Sequence, residues 1–394
     1  FLGGFLIAMA MQKWNLHRRI ALHIIRTVGV SPSRLILGFM LATAFLSMWI
    51  SNTATAMMML PIAVAVASQL TKNKTSDADS YTPAFGMALM LGIAYSASIG
   101  GVATLIGTPP NAILAGIVER VYGQRISFAA WMGFGLPLAM VMLAIAWFYL
   151  TRIAYRVKQQ TVANVSEMIQ QEINQLGSMS RQERLVALIF ALVAITWITR
   201  GLFEIKQLQG VSDASIAIVG ALLLFIIPSD IKKREFLLDW SSAVKLPWDI
   251  LILLGGGFAL AQGFSDSGLT EWIVSQMSVL QGANLIVVVL VITLIVIFLT
   301  EVTSNTATAT LILPVLGALA TALDMEPMAL MVPAAIAASY AFMLPVATPP
   351  NAIVFSSRYV TIPQMARAGF YMNLVASLVI TLFVIFVLPY INYY

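Results

Sequence analysis

The chain has 394 residues, of which 60% are hydrophobic and only 10% charged, with a mean hydropathy of +0.90; a soluble domain is roughly 25% charged. The absence of cysteine removes disulfides, thiolate metal sites and thiol chemistry. The net charge of +5 lies mostly in loops between apolar runs, the placement membrane topology requires, so it does not signal a nucleic-acid partner.

Apolar runs at 130–151, 185–199, 212–228, 284–300, 328–346 and 371–390 approach the ~20 residues that cross hydrocarbon as a helix. The alternation of barrel strands, in segments of about ten residues, is missing. The fold class is therefore an all-α polytopic membrane protein, with the lipid bilayer as its surroundings.

In chain order, the sequence opens inside an apolar stretch, Phe1 to Ile7, without a signal peptide, and this predicts helices upstream of it. Lys13, Arg18, Arg19, Arg26 and Arg34 follow in amphipathic stretches that predict an interfacial helix on the cytoplasmic surface, with His17 and His23 as interfacial residues. Arms at 33–50 and 54–70, joined at Ser51-Asn52-Thr53, predict a re-entrant hairpin over 33–70, with Met57, Met58 and Met59 as packing. After a polar loop around Lys72 to Ser80, residues 84–106 predict a half-helix that breaks at Gly107-Thr108-Pro109-Pro110 and resumes, a broken helix over 84–122. These elements make a first unit, 1–151. A cytoplasmic linker, 152–184, precedes the second unit, 185–394, which starts with helices at 185–245 and a basic turn at Lys232, Lys233 and Arg234. Gly255-Gly256-Gly257 lies inside an apolar span and predicts close helix packing rather than a nucleotide loop. A second hairpin at 284–323 and a second broken helix at 328–357 complete the chain.

The two units are repeats. Ser51-Asn52-Thr53-Ala54-Thr55-Ala56 recurs as Ser304-Asn305-Thr306-Ala307-Thr308-Ala309, and Thr108-Pro109-Pro110-Asn111-Ala112-Ile113 recurs as Thr348-Pro349-Pro350-Asn351-Ala352-Ile353. Residues 13–34 are basic, whereas their counterparts at 266–287 carry Asp266 and Glu271 and no basic residue. Short cytoplasmic loops collect Lys and Arg, so the repeats are expected on opposite sides, as an inverted pair.

Broken helices at matching positions of inverted halves point to a transporter's binding site. Exposed backbone at membrane depth must line a cavity or be buried, so the four breaks should face one another. Helix N-termini favour anions, and Ser, Asn and Thr side chains cap helices and donate to carboxylate oxygens. Two such tips suit the two ends of a dianion, while hydroxyls, amides and freed carbonyls suit sodium, a hard cation. Glu301 is the one carboxylate well inside an apolar run and matches Met48 in the first repeat; an ion or proton role and a structural role with a local donor both remain open for it.

The paired Ser-Asn-Thr motifs, each followed by a Thr-Pro-Pro turn, resemble the divalent anion:sodium symporter family, the INDY-type dicarboxylate transporters, over essentially the whole chain. The resemblance implies a homodimer of elevator-type protomers in a bacterial inner membrane, moving C4-dicarboxylates such as succinate, malate and fumarate with Na+, and not an enzyme. It implies substrate contacts from Ser51, Asn52, Thr53, Pro109, Ser304, Asn305, Thr306 and Pro350. It places one sodium among Ser47, Ser51, Asn52 and the carbonyl of Gly107, and a second among Thr300, Thr303, Asn305 and the carbonyl of Ala347. The helices at 185–245 would form the scaffold and carry most of the dimer contact. A sodium-independent exchanger, a sulfate or citrate transporter and a sodium/proton antiporter are the alternatives; a membrane-embedded enzyme lacks His clusters and paired carboxylates in its spans.

Overall fold

The computed structural model describes residues 2–72, 82–157, 165–202, 211–233, 235–246, 248–268, 272 and 284–391. Arg234, Glu271 and most of the acidic 266–287 segment lie outside them, as does the polar loop after Lys72. The described chain is almost entirely helical. Among these residues five helices are long and apolar enough to cross a membrane, Ala84–Val102, Phe128–Ala154, Arg181–Arg200, Asn305–Ala322 and Ile362–Tyr390.

Helix α1 (Leu2–Lys13) leads into α2 (Leu16–Val28), an amphipathic helix that buries Leu16, Ala21, Leu22 and Ile25. Its polar face is tied down by ion pairs. Arg18 bonds Glu172 on α8 (Val165–Gln175), and Arg19 grips Glu183 at 3.1 Å on α9 (Arg181–Leu202). An amphipathic helix thus stands where the interfacial helix is expected, packed on the linker helix as well as on α3.

The first unit continues through α3 (Pro32–Ser47), α4 (Asn52–Lys72), α5 (Thr82–Val102), α6 (Pro109–Tyr122) and α7 (Phe128–Phe148), which runs on through a wider π turn at Tyr149–Ala154. The second unit contains α10 (Asp213–Ile226), a small antiparallel pair, β1 (Pro228–Asp230) with β2 (Glu235–Phe236), the short α11 (Trp240–Ala243) and α12 (Trp248–Asp266). It ends with α13 (Leu285–Thr300), α14 (Asn305–Ala322), α15 (Pro327–Ser339), α16 (Pro349–Ser356) and α17 (Ile362–Phe386).

Packing repeats with the sequence. Helices α3 and α4 pack on α5 as α13 and α14 pack on α15. The short helices that follow the breaks are exchanged: α6 packs on α14 and α15, and α16 packs on α4 and α5. That exchange draws the breaks of both halves to one place. Helix α5 is nearly all buried; at Gly100 a Cβ would sit 2.5 Å from the Cα of Ala44, so only glycine admits the α3–α5 contact.

Two expectations are corrected. The α15 half-helix stops at Ser339 rather than reaching residue 346, because the chain unwinds from Tyr340 to Thr348, where a buried carboxylate takes its amides. Among the described residues the triple glycine is close-packed only at Gly257, whose Cβ would lie 2.8 Å from Thr310 Cγ2; a Cβ at Gly255 or Gly256 would meet none of them within 4 Å.

Candidate functional site

Both Ser-Asn-Thr motifs sit at helix starts. Asn52 and Asn305 are the first residues of α4 and α14, so the hairpin turns occupy 48–51 and 301–304, and Asn and Thr lie in the first helical turn. Ser51 Oγ accepts from Ala54 N at 3.3 Å, whereas Ser304 makes no side-chain cap. The tandem prolines are likewise the first two residues of α6 and α16, where a missing amide hydrogen costs nothing. The breaks therefore precede the prolines, at 103–108 and 340–348.

Four helix N-termini thus converge on one cavity of about 730 Å³. It is lined by Ser51, Asn52 and Thr53, by Gly107, Thr108 and Pro109, by Thr303, Ser304, Asn305 and Thr306, and by Ala347, Thr348, Pro349 and Pro350. Every residue expected to contact substrate reaches it. The positive ends of four helix dipoles face this volume and favour an anion, although α6 and α16 open on prolines and present no amide hydrogen at their first two positions.

Behind each tip lies a cluster of oxygens. Ser47, fully buried, donates to Ala97 O at 2.7 Å and contacts Asn52 Oδ1. All contacts of that inward atom are satisfied once the Asn52 amide is turned, so that Nδ2 donates to Ser47 Oγ, to Ala97 O at 3.1 Å and to Gly107 O at 3.3 Å. Thr300 repeats the motif, reaching Asn305 Oδ1 at 2.7 Å and Ala338 O at 3.1 Å. At the second tip the single hydroxyl proton of Thr300 faces two acceptors, Asn305 Oδ1 and Ala338 O. Such a surplus of neutral oxygen fits a hard monovalent cation. Ser51 and Ala347 border the cavity without a hydrogen bond into these clusters. Thr303 is drawn elsewhere, donating to Leu299 O at 2.8 Å and pairing with Thr308 Oγ1 at 2.6 Å.

The loops behind are fixed by side chains. Asn111 Nδ2 donates to Thr104 O at 2.8 Å and Val102 O at 3.2 Å; Asn351 Nδ2 donates to Ala341 O and Leu344 O, both at 3.0 Å. Glu301, only 2% exposed, accepts from the amides of Phe342 at 2.7 Å, Met343 at 2.9 Å and Leu344 at 3.0 Å, and from Asn373 Nδ2 at 2.8 Å. These contacts hold the unwound segment.

A family model described as the sodium:sulfate symporter transmembrane region matches residues 1–390. The chain belongs to this family. The resemblance to divalent anion:sodium symporters is thereby borne out. Curated members named sodium-dependent dicarboxylate transporter SdcS, from Staphylococcus saprophyticus and from Staphylococcus aureus NCTC 8325, are each 47% identical over 99% of this chain and 76% of their own length. Solved structures share the fold at low identity. The Alcanivorax borkumensis YdaH transporter has a TM-score of 0.67 at 11% identity, covering 99% of this chain and 84% of that one. Neisseria gonorrhoeae MtrF has 0.59 at 13%, covering 98% and 80%. The helical polytopic transporter fold expected of the sequence is the fold observed.

In this symporter-family chain, sequence reasoning missed one wall of the cavity. Phe5, Ala8, Met9 and Gln12 of α1, with Lys245, Leu246 and Ile250, also line it. It also missed Ala97 O and Ala338 O, because backbone carbonyls carry no residue signature. The one available signal for that wall was Lys245, a lone cation beside an apolar run.

Proposed function

We propose that the protein couples Na+ to the movement of C4-dicarboxylates across the cytoplasmic membrane; its 47% identical relatives are named sodium-dependent dicarboxylate transporters. One observation carries the reading at the level of this chain: two Ser-Asn-Thr tips and two Thr-Pro-Pro turns, far apart in sequence, line a single cavity of about 730 Å³ with no carboxylate among the described residues of its walls. Ser51, Asn52 and Thr53 would hold one carboxylate of succinate, malate or fumarate, with Ser304, Asn305 and Thr306 holding the other and Pro109 and Pro350 bounding the volume. One sodium would sit among Ser47, Asn52 and Gly107 O, extended here to Ala97 O. The second would sit at Thr300 and Asn305 beside Ala338 O, with Ser51, Thr303 and Ala347 at the periphery of the two cages.

Sodium filling both cages would orient Asn52 and Asn305 and place positive charge behind the anion, so cation and dianion bind together. The protein would act as a homodimer, with the hairpins and broken helices moving as one body against the 185–245 helices. The test is thermal unfolding of purified protein with succinate added in sodium or in potassium. Stabilisation by succinate only in sodium supports the reading; stabilisation equal in both cations overturns the coupling, and stabilisation by sulfate alone overturns the substrate.

A further inference from the structure

The tips of the cavity are neutral, and so is nearly all of the remaining lining. Among the described residues Lys245 is the single ionisable one on its walls. It is exposed, and among the described residues it has no ion pair or side-chain hydrogen bond.

Its position is held by neighbours. Asp239 caps α11 by accepting from Ser242 N at 2.7 Å, and binds Lys13 Nζ at 2.6 Å. Trp14 Nε1 donates to Leu237 O at 2.7 Å, and Lys245 N donates to Ser242 O at 3.0 Å. The segment before α12 is therefore latched to the C-terminal end of α1. This is the end that carries α2, the linker helix and the exposed Lys232 and Lys233, the basic and hence cytoplasmic face.

We infer that Lys245 is an anion-capture residue at the cytoplasmic mouth of the cavity, attracting the dianionic dicarboxylate toward the Ser-Asn-Thr tips and setting apparent affinity on that face. The inference rests on the dicarboxylate reading of the site. An exposed charge near a charged ligand acts over about a Debye length of 8–10 Å and raises the capture rate without altering the bound complex. Its removal therefore falls on KM and on the salt dependence of KM, and leaves the rate at saturation to the tips and sodium cages.

The experiment measures succinate flux in inside-out and right-side-out membrane vesicles at fixed sodium, with ionic strength varied by an inert salt, for wild type, Lys245→Gln, Lys245→Glu and Lys245→Arg. Expected is a KM at the cytoplasmic face raised about threefold to tenfold in Lys245→Gln and further in Lys245→Glu at low salt. Lys245→Arg should stay within about twofold of wild type, and Lys245→Gln should lose most of the wild-type salt dependence. An unchanged KM in Lys245→Gln with normal wild-type flux overturns the inference alone. A loss confined to Vmax and shared by Lys245→Arg overturns it too, in favour of a packing role. Wild-type vesicles that move no succinate overturn the dicarboxylate reading and this inference with it.

Discussion

The carboxylate of Glu301 and the side-chain amide of Asn373 meet at 2.8 Å inside the protein, joining the turn after α13 to α17. The same carboxylate takes three consecutive amides of the unwound Phe342-Met343-Leu344 segment, and Gly369 makes the room, since a Cβ there would approach within 2.5 Å of Met343 Cα. Glu301→Gln replaces one acceptor oxygen with a donor, leaving a buried amide opposite an NH2 group. The expected cost is about 1–3 kcal/mol per unsatisfied group, read as a lower Tm in detergent, together with a large fall in sodium-driven uptake. Unchanged Tm and uptake would show that the segment holds itself.

Gly101→Ala tests the first cation cage. A Cβ at Gly101 would lie 2.7 Å from Asn52 Oδ1 and 3.1 Å from Gly107 O, so the amide must move. We expect the sodium concentration for half-maximal transport to rise by about tenfold, or about 1.4 kcal/mol. Gly133→Ala is the control, because nothing lies within 4 Å of a Cβ there. A normal sodium dependence in Gly101→Ala would remove Asn52 from the cage.

The Arg19–Glu183 pair ties α2 to α9. Its side chains are 13% and 6% exposed, and Arg19 also donates to Gly177 O at 3.0 Å and Leu176 O at 3.2 Å. Removing either partner strands a mostly buried charge, so Arg19→Met should destabilise by about 3 kcal/mol. The double variant Arg19→Met with Glu183→Gln should lose less than the sum of the single changes. Additive losses in thermal unfolding would mean that the two residues do not act as a pair.

The Lys13–Asp239 contact predicts a pH dependence. Lys13, then Ser241, hold the Asp239 carboxyl well below the usual carboxylate range. A depressed folded-state value means stability that is present above the unfolded value of about 3.9 and lost as acid protonates the native carboxylate. Asp239 is 44% exposed, so the contribution is under about 1 kcal/mol. Lys13→Ala should lower Tm slightly and equally from pH 5 to pH 8, with the gap closing below about pH 4. A gap that widens in acid would contradict this sign.

The convergence of the four breaks was legible because short polar motifs recur in an apolar chain, where exposed backbone is confined to protein-lined cavities. Ser47 and Thr300 were legible from their helical spacing to Asn52 and Asn305. The early end of α15 was not, since Ala334 to Met343 reads as continuous apolar helix and the cause is the distant Glu301. Nor was the pairing of Thr303 with Thr308, which competes with a cation for the same hydroxyl. The wall formed by α1 and Lys245 depends on contacts across more than two hundred residues, and no local periodicity encodes them.

The most direct test of the central claim, that paired tips and sodium cages in one cavity bind a dicarboxylate, is uptake of labelled succinate into proteoliposomes. An inward sodium gradient is compared with potassium replacing sodium, for wild type and for Asn52→Ala. The account predicts sodium-dependent uptake in the wild type and its loss in Asn52→Ala, which removes an anion contact and a sodium oxygen together. Uptake indifferent to sodium, or retained in Asn52→Ala, would contradict it.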